Sequence, residues 1–118
     1  NKITFNSDLS IAEDQMYFCT VLLSCNSCAV LHEPLYCYYQ RNNSAMHTIL
    51  TDYSKMIRNK IAEIDERTKI TQKYPQVRYT WEGTAVLMAI LVCNLSTHIK
   101  GGYKLFSKFC KNCLNVTN

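Results

Sequence analysis

Two cysteine pairs are the residues of this chain whose types and spacing come closest to a chemical site. Cys25 and Cys28 form one C-x-x-C pair, and Cys110 and Cys113 form the other. Two such pairs can hold a structural zinc ion, but the usual spacing between them is about 15–20 residues. Here residues 29–109 separate the pairs. We therefore interpret these cysteines as small apolar positions and predict no metal site, with a zinc-stapled module as an alternative.

The three histidines, His32, His47 and His98, do not form a catalytic pattern with their neighbours. None stands at the spacing of a known nucleophile motif, and the sequence has no H-E-x-x-H, P-loop or G-x-G-x-x-G. We predict that the protein is not an enzyme and needs no cofactor.

Composition favours one helical domain over residues 1–118. Apolar residues make up 47% of the chain, with only three glycines and two prolines. A β-sandwich or barrel needs more turns than that, so the expected fold is all-α, a compact bundle around a central hydrophobic helix. The odd count of seven cysteines favours a reducing, intracellular setting. A secreted cytokine-like protein is the alternative, motivated by the cysteines and by sequons at Asn42, Asn94 and Asn115.

Net charge is +4, and residues 60–118 carry the basic excess. Four lysines recur along one face of the predicted last helix, at positions 100, 104, 108 and 111. This pattern allows weak contact with an anionic membrane surface, although a solvated face is the commoner meaning. No recognition motif or alternation of basic and aromatic residues suggests nucleic acid, so we predict none as a partner.

Apolar spacing predicts the helices. After a flexible lead-in over residues 1–7, a first helix is expected over 9–24, capped by Ser7 or Asp8 and followed by a short helix to His32. Residues 35–39 are interpreted as a short helix or loop. An amphipathic helix is expected from residue 46, capped by Ser44, to an end near residues 67–70, and then a polar linker over 71–79. The last helix is expected over 103–114.

The helix between the linker and Gly101-Gly102 has the strongest apolar character. It is expected to begin near Thr80, acting as its cap, and residues 85–93 are an unbroken apolar run. Nine residues are too few for the ~20 that span a bilayer. Because apolar side chains cover every face, the pattern predicts a helix at the centre of the bundle, ended by the glycine pair.

The order of an amphipathic helix, a linker, and Trp81-Glu82-Gly83 at the start of an apolar helix resembles the Bcl-2 family of apoptosis regulators. In that family, Asn-Trp-Gly-Arg opens the central helix. Here Thr80 stands in place of the Asn, and Glu82 and Gly83 stand in place of the Gly and Arg. The resemblance covers residues 46–99, and more loosely 8–31, and is similar in type to divergent homologues carried by large DNA viruses.

The resemblance implies an inhibitor of apoptosis that sequesters the amphipathic death helix of pro-apoptotic Bcl-2 family proteins. Arg78 would take over the pairing with the acid of the bound helix. Such a protein would act in the host cell cytoplasm or at the mitochondrial surface, and an exposed groove would also allow a homodimer. The groove residues implied are Tyr53, Met56, Ile57, Lys60, Ile61, Arg78, Trp81, Glu82, Gly83, Val86 and Ile90.

One alternative keeps the fold and changes the partner. Poxviral proteins of similar size resemble this family, have no open groove, and inhibit innate immune (NF-kappaB) signalling through surface contacts. A filled groove in the structure would favour that function.

Overall fold

The fold is all-helical in a computed structural model that describes residues 2–39, 44 and 51–117. Within these ranges there are four α-helices and no β-strand. A 3₁₀ turn, Pro75–Val77, lies between the second and third helices. The helices are α1 (Glu13–Ser24), α2 (Tyr53–Lys73), α3 (Arg78–Thr97) and α4 (Gly102–Thr117).

Helix α2 begins at a polar cap and continues for 21 residues. The Asp52 carboxylate accepts a hydrogen bond from the Lys55 backbone N–H (2.9 Å), which satisfies one of the free donors at the start of the helix. Residues 45–50 and the predicted cap contact of Ser44 lie outside what the structure describes. The far end of α2, at Lys73, extends beyond the end predicted near residues 67–70.

The main core joins α2, α3 and α4. One apolar face of α2 packs against one face of α3, and Phe109 of α4 closes the cluster. Burying each large apolar side chain contributes roughly 1.5–3 kcal/mol, so this cluster is the main source of stability. Its buried members are Ile57, Ile61, Ile64, Ala85, Met88, Val92 and Phe109.

A second, smaller core attaches the N-terminal part of the chain to the bundle. Leu9 and Met16 pack there with Ile70 and Trp81. The Asn59 side chain holds the same segment. Its Oδ1 accepts from the backbone N–H groups of Ser10 (2.8 Å) and Ile11 (3.1 Å), and its Nδ2 donates to the Ile11 carbonyl (3.1 Å). These bonds orient the chain as it enters α1.

The lead-in has no helix or strand over residues 2–6, but its side chains reach the helices. The Asn6 amide donates to Glu66 Oε2 (2.8 Å), and the Phe5 ring stacks on Tyr17 with centroids 4.2 Å apart. The prediction that Ser7 or Asp8 caps the first helix is wrong. Residue Ala12 precedes α1, with φ of 70° and no side-chain cap bond.

The prediction that the apolar helix α3 is buried on every face is wrong. Val86, Leu87 and Ile90 are 61%, 69% and 63% exposed, and burial is confined to the opposite face. The amphipathic helix α2 is instead more enclosed, with eight buried residues against four in α3, and these include the ion-paired Glu63 and Arg67. Apolar composition shows which faces can be buried, whereas burial also requires a neighbouring element.

Several predicted boundaries differ from the structure. The linker over 71–79 is largely helical, since α2 extends to Lys73, the 3₁₀ turn follows, and α3 begins at Arg78. The residue before α3 is Val77, not Thr80, and it offers no side-chain cap bond. The first helix begins at Glu13 instead of residue 9. The short helix to His32 is absent: residues 25–39 form no helix and are exposed.

The glycine pair after α3 confirms the predicted helix end. Gly101 adopts a φ of 74°, the left-handed region in which a side chain is disfavoured. A Cβ at Gly102 would collide with the backbone carbonyl of Ser96. Both glycines are therefore required for the tight corner that folds α4 back along α3.

Candidate helix-binding surface

The predicted groove between α2 and α3 is closed. Ile57 and Ile61, expected to line it, are buried in the main core and pack against α3. Trp81 is also buried, in the second core beside Ile70. The apolar faces that would have to contact a bound helix instead contact each other.

The other α2 residues of the predicted groove lie at the edge of that packed interface. Tyr53 is partly exposed, and its ring lies 5.5 Å from the His98 ring, centroid to centroid. Met56 is half-buried. Lys60 Nζ donates to Glu63 Oε2 (2.8 Å), so this lysine neutralises a buried carboxylate of its own helix.

Arg78 and Glu82 form an ion pair along the first turns of α3. Arg78 Nε lies 2.9 Å from Glu82 Oε1, at the i, i+4 spacing that brings two side chains together on a helix. Both side chains are about one-third exposed, so the pair adds little stability. Arg78 can meet the acid of a partner only by leaving or sharing Glu82.

Gly83, Val86 and Ile90 lie on the solvent-exposed face of α3. Tyr79, Leu87 and Leu91 extend the same apolar surface, and no heavy atom lies within 4 Å of a Cβ built at Gly83. The structure therefore buries Ile57, Ile61 and Trp81, leaves the remaining α2 residues at the edge of the α2–α3 interface, and exposes a separate set on α3.

An apolar cavity of about 370 Å³ lies beside this exposed set, between α3 and α4. The walls are mostly apolar, and Glu82 provides a carboxylate at one end. We call it the α3–α4 groove; its lining residues are Glu82, Ala85, Val86, Ala89, Cys113 and Leu114. A few hundred cubic ångströms is the size at which protein pockets begin to accept several ligand groups.

Sequence reasoning missed the α4 side of this groove. The sequence predicts Cys113 as a small apolar position, but it does not single out Leu114. The signal available in the sequence was an apolar residue directly after Cys113; in the structure this residue, Leu114, is 60% exposed. Leu114 lies beside α3 because the glycine corner folds α4 back along that helix, and the periodicity of the sequence does not reveal this arrangement.

The seven cysteines are all free thiols in the structure. Cys25 and Cys28 are exposed after α1, whereas Cys110 and Cys113 are half-buried on α4. Burial, with a further contribution from neighbouring Cys110, raises the pKa of Cys113 to about 11. In the part of the chain that the structure describes, no three His, Cys, Asp or Glu residues are grouped closely enough to hold a metal.

The basic face of α4 is exposed as predicted, at Lys104, Lys108 and Lys111. The opposite face is occupied, because Phe109 is wholly buried in the main core. Membrane contact by the folded protein would therefore rest on these charges and not on insertion of Phe109. None of the described helices combines the length and the apolar character needed to cross a bilayer.

No protein-family model, curated protein or solved structure matches this chain. The class of protein that the fold defines is a small helical bundle with an apolar groove on its surface. The likeness to the Bcl-2 family rests on the sequence features given above.

Proposed function

We propose that this protein is a non-enzymatic module that binds an amphipathic helix of a partner protein in the α3–α4 groove. The observation that supports it is the juxtaposition of the apolar cavity with the exposed apolar side chains Val86 and Leu114. Contact with a partner would remove this apolar surface from water, which is the main driving force for binding a helix in a groove.

The partner helix would insert apolar side chains spaced at i, i+3/i+4 and i+7. Ala85 and Ala89 are small, so they leave room for larger anchors between α3 and α4. Glu82 lies at one end of the groove, where it would favour a basic residue of the partner. This polarity differs from the one implied by the family resemblance, in which a cation of the groove meets an acid.

We further propose that the partners are pro-apoptotic Bcl-2 family proteins and that sequestering their death helices inhibits apoptosis. The support is the arrangement of Trp81 and the apolar helix after it. The setting would be the host cell cytoplasm or the mitochondrial surface.

The closed α2–α3 interface supports a second candidate. The packing of Ile57 and Ile61 against α3 fills the groove that the family uses. A filled groove favours inhibition of innate immune (NF-kappaB) signalling through surface contacts.

Fluorescence-polarisation binding of labelled pro-death helix peptides to the reduced protein tests the proposal. Leu114→Glu would place a charge in the groove, and Gln72→Glu adds the same charge at an exposed site on α2 as a control. Ile57→Glu is unsuitable as a blocked variant because a charge at this wholly buried position would unfold the core.

The expected result is micromolar binding of one or more peptides that Leu114→Glu abolishes and Gln72→Glu preserves. Binding that Leu114→Glu leaves unchanged would place the site elsewhere. If the folded protein binds no peptide at 100-fold higher concentration, apoptosis inhibition through a death helix is wrong and the signalling function takes its place.

A further inference from the structure

We propose that a second copy of this chain docks antiparallel on the exposed face of α3. The contact surface, which we call the α3 seam, consists of Tyr79, Gly83, Val86, Ile90, Cys93 and Thr97. The dimer itself goes beyond the proposed function and does not depend on it; only its effect on helix binding rests on that function.

The α3 seam has the spacing of a helix–helix interface. Its residues follow one another at steps of four, three, four, three and four, which is the seven-residue repeat that keeps one stripe of a helix facing a partner helix. All six are exposed, and Tyr79, Val86 and Ile90 are 86%, 61% and 63% exposed. In the monomer, this stripe has no role in either core.

The sizes of the side chains are complementary when the stripe meets itself in the antiparallel direction. With the twofold axis at residue 88, Val86 faces Ile90 of the second copy. With the same axis, Gly83 faces Cys93 of the second copy, and Tyr79 faces Thr97 of the second copy. Each pair combines a smaller residue with a larger one, and the open space at Gly83 lets the two helices approach closely.

Charge favours a second copy over a charged partner. The chain carries a net charge of +4, so most contacts between two copies would bring like charges together. Residues 83–99 contain no Asp, Glu, Lys or Arg. Arg78 and Glu82, at one end of the seam, are already paired within their own helix. The seam is thus a surface where two basic molecules meet without repulsion.

Self-association would also regulate helix binding, because Val86 belongs to both the α3 seam and the α3–α4 groove. A dimer would cover one wall of the groove. The monomer would then be the form that binds a partner helix, and raising the protein concentration would lower the apparent affinity.

Sedimentation velocity of the reduced protein at about 1–100 µM tests the association, since a seam of one helix per copy is at the small end of interface sizes. The expected result is a monomer at the low end and twice the monomer mass at the high end. Ile90→Glu should give a monomer throughout, while Gln72→Glu and Leu114→Glu should still dimerise. A folded wild-type protein that stays monomeric at 100 µM, or a dimer insensitive to Ile90→Glu, would overturn the proposal.

Disulfide trapping tests the antiparallel direction. In a background in which Cys25, Cys28 and Cys37 are replaced by Ser, Gly83→Cys would face Cys93 of the second copy. Oxidised glutathione should convert that variant, but not Gly83→Ser, into a covalent dimer. The two Cys93 thiols would lie about 15 Å apart across the axis, so the background itself should not cross-link. Cross-linking of the background through Cys93 would contradict the antiparallel seam.

The two proposals can fail separately. Dimerisation is measured without peptide and depends on Ile90, whereas peptide binding depends on Leu114. A protein that dimerises but binds no peptide would retain the seam and lose the proposed function. The reverse result would retain the function and reject the seam.

Discussion

The guanidinium carbon of Arg67 lies 5.0 Å from the centroid of the Trp81 ring, which places a cation over an aromatic face in the protein interior. Arg67 is 4% exposed and Trp81 is 6% exposed. Arg67 also forms an ion pair with Glu63, with Nη2 2.8 Å from Oε1. The tryptophan that carries the family resemblance is therefore a core residue that connects α3 with the buried charges of α2.

Replacing Arg67 with Ala should lower the free energy of unfolding by about 3 kcal/mol, since Glu63 would stay buried with Lys60 as its only cation. Urea unfolding followed by Trp81 fluorescence measures this value, because Trp81 is the only tryptophan. The double variant Arg67→Met/Glu63→Leu removes both charges and should lose less stability than the single variant. A single-variant loss below 1 kcal/mol would contradict the role given to the ion pair.

Asn59→Ala should loosen the N-terminal segment and cost about 2 kcal/mol, because three hydrogen bonds to Ser10 and Ile11 disappear. Hydrogen exchange should speed up in α1 while the amides of α3 stay protected. Asn112→Ala is the matched control. That side chain makes one exposed bond, to Asp65 (2.7 Å), and its loss should cost less than 0.5 kcal/mol. Equal effects of the two variants would reject the assigned role of Asn59.

Alanine at two glycines should have opposite effects on stability. Gly83→Ala adds a side chain in open space within a helix and should raise the free energy of unfolding by about 0.5–1 kcal/mol. Gly102→Ala forces a Cβ into the Ser96 carbonyl and should lower it by at least about 2 kcal/mol. Melting temperatures at low protein concentration compare the variants with the wild type. A Gly102→Ala protein as stable as the wild type would contradict the close approach of Gly102 to the Ser96 backbone.

Cys113 should resist alkylation at pH 8. With a pKa of about 11, only roughly one molecule in a thousand carries the reactive thiolate at that pH. The exposed thiols of Cys28 and Cys93 should react first with iodoacetamide, as followed by peptide mass spectrometry. Labelling of Cys113 should increase as the pH approaches 11. Equal labelling of all cysteines at pH 8 in the folded protein would show that Cys113 is not shielded.

Sequence patterns correctly predicted an all-helical chain and the glycine corner that follows the apolar helix. The glycine pair ends the apolar helix because only glycine fits the left-handed position and the close approach to Ser96. The buried face of α4, centred on Phe109, follows from its amphipathic spacing. These features depend on local chemistry, which the sequence carries directly.

The arrangement of the site could not be predicted in the same way. The exposure of Val86 and Ile90 depends on which elements cover α3, and apolar composition was interpreted as full burial. Charged side chains such as Glu63 and Arg67 are ordinarily expected in solvent, but two opposite charges at i, i+4 can be buried together when each satisfies the other. The groove between α3 and α4 also depends on contacts between elements distant in sequence.

The exposed stretch after α1 is where we expect the protein to be most prone to aggregate. Residues 35–39 read Leu-Tyr-Cys-Tyr-Tyr, an uncharged run of strand-favouring side chains, and Leu35, Tyr36 and Tyr39 are largely exposed. Runs of this kind pair their backbones between molecules and initiate aggregation. Repulsion from the net charge of +4 opposes that encounter and weakens as salt screens it. We therefore expect added salt to shorten the time for which the protein stays dispersed, through a segment that contributes to neither core.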